Sequence, residues 1–269
     1  MKLKGIIYQK GLSFRRQVWK LGGGRRIRAF GESFCITPNT IFPTYRKFPL
    51  PKGDCLSEIV RYTDYVQLHS ICNLMMKLEK PTVIEIGANH GAYAIIAGKF
   101  AQKKGGRVIA IEPDPESFNV LKENVRLNHL QDTVVCEQIA VLGKSGLANF
   151  ECCGDQSHIT ERDTGRTVKV TTLKELVEKH EVKSVDILII DVEGAELCVL
   201  KGHPWESVRV EKIFCELHPY AWKDFGYSAE DVRDFLRSHS LRCFDMYFKE
   251  YRSFEEDRYI GPTVFFLDS

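Results

Sequence analysis

Three carboxylates fall within six residues in the run Ile189-Ile190-Asp191-Val192-Glu193-Gly194-Ala195-Glu196, directly after the strongest strand-like segment of the chain. Acids at the carboxyl end of a buried strand face a cleft, where they can hold a hydroxyl, a metal or a cofactor. Glu196 can also be read as an acid complementing the dipole of a helix N-terminus. Asp191, on the strand itself, has no such explanation. A second set follows in Cys215-Glu216-Leu217-His218. Alternation puts Glu216 and His218 on one side of an extended chain. A histidine with a near-neutral pKa is suited to taking a proton from a hydroxyl. His218 is therefore the candidate general base, with Asp191 or Glu216 orienting the hydroxyl or the ring; a purely structural histidine is the alternative. A further alternative makes Asp191, Glu216 and His218 ligands of a divalent ion, for which an oxygen-rich set suits magnesium or manganese.

The other informative run is Glu85-Ile86-Gly87-Ala88-Asn89-His90-Gly91. Gly87 allows a sharp turn after an apolar strand, and Gly91 allows a helix to start close to whatever lies across it. The G-x-x-x-G spacing does not match the G-x-G-x-x-G pyrophosphate fingerprint, which argues against a nicotinamide enzyme. Glu112 lies 21 positions beyond Gly91, at the end of the next apolar run. A carboxylate at that place accepts hydrogen bonds from the 2′ and 3′ hydroxyls of a ribose. Either feature alone reads as a tight turn or a loop charge; together they point to an adenosine-bearing ligand.

These residues need elements to hold them, and the chain alternates short apolar runs with helical patterns. Thr82 to Ile86, Val108 to Ile111, Val185 to Ile190 and Lys212 to Cys215 read as strands, as does a third strand formed from Val134-Val135-Cys136 and Ile139-Ala140-Val141. Helical patterns run from about Ala92 to Gln102 and from Pro115 to Asn128. Thr172 with Glu175 forms a capping box that opens another helix, and Ser228 with Asp231 opens the last. Near-continuous apolar runs separated by helices mark a parallel sheet buried on both faces. Leu241 to Phe248 and Thr263 to Leu267 suit a closing antiparallel hairpin. The expected organisation is an irregular, basic extension over 1–56 and one α/β domain over 57–269. In that domain a leading helix (57–80) precedes the ligand-binding core (81–220) and a C-terminal helix and hairpin (221–269).

Glu-Ile-Gly-Ala-Asn-His-Gly, Ala-Ile-Glu-Pro-Asp-Pro with Asn124 and Asn128 beyond it, Asp-Val-Glu-Gly-Ala-Glu-Leu-x-Val-Leu-Lys-Gly, and Glu-Leu-His together resemble the FkbM family of methyltransferases. The resemblance covers Pro81 to Tyr220, and the Asp191 to Gly202 block is its most specific part. It implies a Rossmann-like seven-stranded methyltransferase fold, S-adenosylmethionine as methyl donor and a hydroxyl as acceptor. It further implies that Glu85, Gly87, Ala88, Asn89 and Gly91 surround the methionine part of the donor. Glu112 and Pro113 would hold the ribose, Ala140 would lie beside the adenine, and Asp191 would border both donor and acceptor. Two positions depart from the family pattern: Glu85 stands where aspartate is usual, and Ile189 stands where a lysine is frequent.

Composition narrows the partners. The chain has 269 residues, with 38 basic and 36 acidic side chains for a net charge of +2, so nothing global argues for nucleic acid. Nine scattered cysteines without metal-ligand spacing suit small buried hydrophobes in a reduced, cytoplasmic protein. Basic residues crowd the first 31 positions, which reads as a solvated flank, or as a patch for peripheral contact with an anionic membrane. No Asn-Pro-Pro-Tyr or Asp-Pro-Pro-Tyr run follows Ile190, which lowers the case for methylation of planar amino groups. The favoured acceptor is a small molecule or glycan bearing a hydroxyl. The competing readings are a macromolecular methyltransferase, on RNA or protein, and a non-catalytic module that binds an adenosyl ligand. The segments 152–166 and 218–227, with Asp155, Ser157, His158 and Arg162, are the expected acceptor contacts.

Overall fold

The computed structural model describes residues 24–38, 40, 56–152, 157–246, 249–251, 254 and 260–267, with side chains outside 56–64, 261 and 267. Most of the basic extension, and Asp155, lie outside these residues. The elements run β1 (Arg25–Ala29), β2 (Glu32–Ile36), α1 (Leu56–Lys77), β3 (Thr82–Ile86), α2 (Ala92–Lys104), β4 (Arg107–Ile111), α3 (Pro115–Leu127) and β5 (Val134–Glu137). They continue with β6 (Ala140–Val141), β7 (Gly146–Glu151), β8 (His158–Thr160), β9 (Thr167–Thr171), α4 (Leu173–Lys179) and β10 (Ser184–Ile190). After these come α5 (Glu196–Lys201), β11 (Arg209–Leu217), a 3-10 segment (Pro219–Phe225), α6 (Ala229–Ser238), β12 (Leu241–Asp245) and β13 (Gly261–Leu267).

The main sheet has seven strands in the order β12-β13-β11-β10-β3-β4-β5. β11, β10, β3, β4 and β5 are parallel, and β13 pairs antiparallel with both β11 and β12. The apolar runs explain the burial on both faces. Along β10, Leu188 and Ile190 pack against Leu173, Leu197 and Phe235 of α4, α5 and α6. Ile187 and Ile189 face the opposite layer, with Met75, Ile95 and Leu121 of α1, α2 and α3. Such alternation is what a doubly wound sheet requires of a continuously apolar strand. Strand order reverses between β3 and β10, so the crevice for a ligand opens at their carboxyl ends.

Both capping boxes form as expected. Thr172 accepts from the Glu175 N–H, and Ser228 from that of Asp231, with reciprocal bonds from each acid. Three expectations are corrected. The described part of the N-terminal extension is an antiparallel hairpin, Arg25 pairing with Ile36 through to Ala29 with Glu32. Its two-residue turn, Phe30-Gly31, has φ of 53° and 76°, the left-handed pair that hairpin twist demands. Phenylalanine is rare at such a place, so the usual Asn-Gly signal is missing. Second, the supposed third strand splits: Val134–Glu137 ends the main sheet, whereas Ala140-Val141 belongs to a second sheet of order β6-β9-β7-β8. Third, the polar stretch after Leu142 builds the rest of that small sheet.

Two buried asparagines one helical turn apart on α3 fasten the hairpin to the domain. Asn128 accepts from the Cys35 N–H at 2.9 Å and donates to the Cys35 carbonyl at 2.7 Å, so its amide pairs with β2 as another strand would. Asn124, fully buried, accepts from the Thr37 N–H and donates to Thr40 Oγ1 and the His90 carbonyl. The His90 contact ties this clamp to the glycine turn.

Candidate active site

The turn after β3 is built around one close approach. Gly87 has φ of 85°, and a Cβ there would sit 1.7 Å from the Asp191 carbonyl oxygen. Only glycine lets the ends of β3 and β10 come together, where the Asp191 N–H donates to the Ile86 carbonyl. The Gly87 and Ala88 N–H groups both donate to the Ile111 carbonyl at the tip of β4. The next residue, Asn89, is also left-handed, at φ 47°.

Glu112 is the keystone between these loops. Its Oε2 accepts from the Asn89 N–H at 2.6 Å, and its Oε1 from the Asp114 N–H at 2.8 Å. Each carboxylate oxygen keeps a second lone pair for a ligand hydroxyl. Burial pushes the Glu112 carboxyl up to about 7; the two backbone donors hold it down in part, and the Asp114 charge adds to the rise. Burial, then the Glu112 charge, also raises Glu85 well above the ordinary carboxyl range.

A cleft enclosing about 650 Å³, its solvent-filled mouth included, lies against these residues. Its lining includes Gly87, Asn89, Glu112, Pro113, Ala140 and Asp191, six of the nine residues expected around the donor. Glu85, Ala88 and Gly91 do not line it. Glu85 and Ala88 are buried behind the turn, and Gly91 caps α2 where a Cβ would strike Leu121. Among the described residues, no donor reaches Glu85 Oε2 or Asn89 Oδ1, although both atoms are buried. Buried acceptors left open are costly unless a ligand completes them. Of the two, Asn89 belongs to the cleft lining, where a ligand N–H or O–H can complete its Oδ1; Glu85, held well above the ordinary carboxyl range, stays behind the turn. The far wall comes from the small sheet and the residue after β6, through Leu142, Phe150, His158 and Ile159; the last two fall in the segment expected to meet the acceptor, whereas no sequence signal marked Leu142 or Phe150.

A second, broader cleft continues from the first, and Leu142, His158, Ile159 and Glu193 line both. Arg162, Leu147, Tyr220 and Phe225 line the second, so the expected acceptor segments meet there. Ser157 faces the first cleft.

His218 lies beside Asp191, which lines the first cleft, and Glu193, which lines both. It is buried, and its Nδ1 lies 2.7 Å from Oε1 of Glu196, a carboxylate only 1% exposed. Glu196 also accepts from the Gly194 N–H and from Trp222 Nε1, with the Tyr227 hydroxyl 3.2 Å away. Glu196 thus does more than complement a helix dipole: it fixes the ring's orientation. On the other side, His218 Nε2 lies 3.6 Å from Glu193, and 3.9 Å from both Asp191 and Glu216.

Burial alone would lower the His218 pKa. The hydrogen bond to Glu196 and the charges of Glu196, Asp191 and Glu193 outweigh it and push the ring up to about 10. A ring held that far up favours its doubly protonated form near neutral pH, which weighs against the expected role as general base. The expected ion-binding trio changes too. Asp191, Glu193 and His218 present ligand atoms within 4.8 Å of one another, with Glu193 taking the place given to Glu216. Glu193 holds its carboxylate there from a left-handed backbone, at φ 50°. The sequence signal for Glu193 and Glu196 was the carboxylate run itself; Trp222 and Tyr227 carried none.

A glycine turn abutting β10, a ribose-ready carboxylate at the tip of β4 and a cleft at the point of strand reversal define an S-adenosylmethionine-dependent methyltransferase of Rossmann-like, seven-stranded fold. Residues 85–243 match the Methyltransferase FkbM domain, more than half of the chain, and the protein belongs to that family. It is 30% identical to the hexuronic acid methyltransferase AglP of Haloferax volcanii over 191 residues, which cover 69% of this chain and 74% of AglP. It is 28% identical to the methyltransferase sdnD of Sordaria araneosa over 55% of this chain and 69% of sdnD. The crystal structure of an FkbM methyltransferase from Methylobacillus flagellatus KT superposes with a TM-score of 0.45 at 15% identity, covering 80% of this chain and 56% of that one. Among the described residues no helix is long and apolar enough to cross a membrane.

Proposed function

We propose that this chain methylates an oxygen on a sugar or a similarly small polar acceptor. The observation that carries the reading is the meeting of the two clefts at Glu193, beside Asp191 and His218. S-adenosylmethionine supplies a methyl group made electrophilic by its sulfonium. Glu112, Asn89 and Gly87 hold the donor, and Ala140 lies against the adenine side. The acceptor enters over Leu147 and Tyr220, exposed apolar surfaces suited to the C–H face of a sugar ring. Its hydroxyl must lose a proton as the carbon–oxygen bond forms. Asp191, with a side chain 46% exposed at the end of β10, accepts that proton and passes it to solvent. Protonated His218 donates to Asp191, Glu193 or the acceptor and keeps the acids in place. Similarity to a hexuronic acid methyltransferase supports a sugar acceptor, and leaves a hydroxyl or a carboxyl as the receiving oxygen.

The test is transfer of labelled methyl from S-adenosylmethionine to a panel of glycosides and uronic acids. A product heavier by one CH₂ whose methyl resists mild base is the ether this reading expects; a base-labile product moves the reaction to a carboxyl oxygen. Label in RNA or protein, and none in the panel, would replace the reading with a macromolecular acceptor.

A further inference from the structure

Four carboxylates surround one buried imidazole where the clefts meet, and the arrangement is more ordered than a fortuitous cluster of acids. Glu196 is buried on the far side of the ring, held by the Gly194 N–H and Trp222, and its bond to Nδ1 points Nε2 toward Asp191 and Glu193. Carboxylate behind, imidazole between and carboxylates in front is the order found where a histidine ligates a metal, because the rear acid fixes the tautomer and raises ligand basicity. The spacings suit this. Ligands about 2.1 Å from an octahedral ion lie roughly 3.0 Å apart when adjacent and 4.2 Å when opposite. His218 Nε2 lies 3.6 Å from Glu193 Oε2 and 3.9 Å from Asp191 Oδ1, so shifts of a few tenths of an ångström bring all three into one shell. The Tyr220 hydroxyl donates to Glu193 Oε2 at 3.0 Å and steadies that carboxylate. The strained backbone of Glu193 is a cost that ligation would offset.

We propose that Asp191, Glu193 and His218 bind one divalent cation, magnesium or manganese by the hardness of two oxygens and one imidazole, the ion displacing the His218 Nε2 proton to solvent as it binds, with Glu196 as the positioning residue behind the histidine. Glu193 lines both clefts and Asp191 the first, which leaves the remaining coordination positions to ligands entering from there. An acceptor hydroxyl bound there has its pKa lowered by the ion, and Asp191 keeps a second oxygen to receive the proton. The role of the ion in catalysis rests on the methyltransfer reading above; its binding does not.

Manganese is the probe, because the free aqueous ion gives an electron paramagnetic resonance signal that disappears on binding. Titration of the full chain without acceptor is expected to remove one equivalent of signal. His218→Gln and Glu193→Gln are each expected to abolish that loss, and Glu196→Gln to weaken the affinity about tenfold or more. S-adenosylhomocysteine binding measured on each variant shows which are folded; Glu193→Gln, a partly exposed isosteric change, serves if the buried histidine variant does not fold. No saturable manganese binding by wild type would overturn the proposal, as would binding unaltered in folded Glu193→Gln and His218→Gln. A saturable site without transfer to any acceptor would support the cation and remove the methyltransfer reading. Transfer at full rate after chelation, with no manganese bound, would do the reverse.

Discussion

Donor affinity is expected to depend on pH through one side chain. In the proposed donor site Glu112 is to anchor the ribose as an acceptor at both oxygens, and its carboxyl is pushed up to about 7. Protonation would turn one oxygen into a donor facing the Asn89 or Asp114 N–H and a ligand hydroxyl, so only the ionised form is competent. The ionised fraction is about 0.09 at pH 6 and about 0.91 at pH 8 for a pKa near 7, and apparent affinity scales with the competent fraction. S-adenosylhomocysteine should therefore bind about tenfold more weakly at pH 6 than at pH 8, or ~1.4 kcal/mol. Calorimetric titration at both values measures this. Glu112→Gln keeps the shape without the titration; it should bind weakly at both pH values, and its residual slope subtracts the ligand's own ionisation. Equal wild-type affinity at pH 6 and pH 8, or the same slope in Glu112→Gln, would show that Glu112 is not the anchor, or that burial does not set its protonation.

The remaining expectations concern the frame around that anchor. Gly87→Ala places a methyl 1.7 Å from the Asp191 carbonyl, so the turn must open; donor affinity should fall at least tenfold, and retained affinity would mean that the β3–β10 junction yields. Asn124→Ala leaves the Thr37 N–H and the His90 carbonyl without their buried partner, at about 1–3 kcal/mol each. Denaturant unfolding should show a loss of a few kcal/mol, and one below about 0.5 kcal/mol would dismiss the clamp. Ligand-free stability should fall as pH rises from about 5 to 9. Folded Glu112, raised to about 7, and His218, raised to about 10, both bind protons that their unfolded forms have released. Each therefore contributes stability below its unfolded pKa and loses it as pH climbs through the folded value. A melting temperature that rises across that window would contradict the protonation states assigned to both.

Much of this was legible in the sequence, for local reasons. The parallel strands are short β-branched runs bounded by glycine, proline or charge, and the capping boxes announce the helices that follow. The order of glycine turn, acid at strand end and acid run is chemistry laid out along the chain, so Gly87, Asn89, Glu112 and Asp191 could be named before they were placed. The failures are of another kind. The hairpin at Arg25 to Ile36 turns on Phe30, whose left-handed backbone contradicts its propensity. The small sheet from Ala140 to Thr171 is assembled from strands of two to six residues, one of them, β8, without a buried residue and another, β7, with a single one, so no apolar period marks it.

The revision at His218 has the same origin and reaches further. Strand alternation brings Glu216 and His218 to one side, as read, but a ring's proton affinity depends on everything around it. Glu196 comes from α5, Trp222 from the 3-10 segment and Tyr227 from the loop beyond, and only the packing of these three elements behind β11 carries a carboxylate to Nδ1. A buried carboxylate of that kind is held because its partners satisfy it, and removing any one leaves a charge without compensation. The histidine is thereby fixed in orientation and denied the lone pair a base would need while its proton remains. Its chemistry passes to what lies in front of it, Asp191 and Glu193, whose oxygens share the boundary between the donor cleft and the acceptor cleft. Once the ring gives up its Nε2 proton, the two carboxylates of that front layer are what a cation beside them would neutralise.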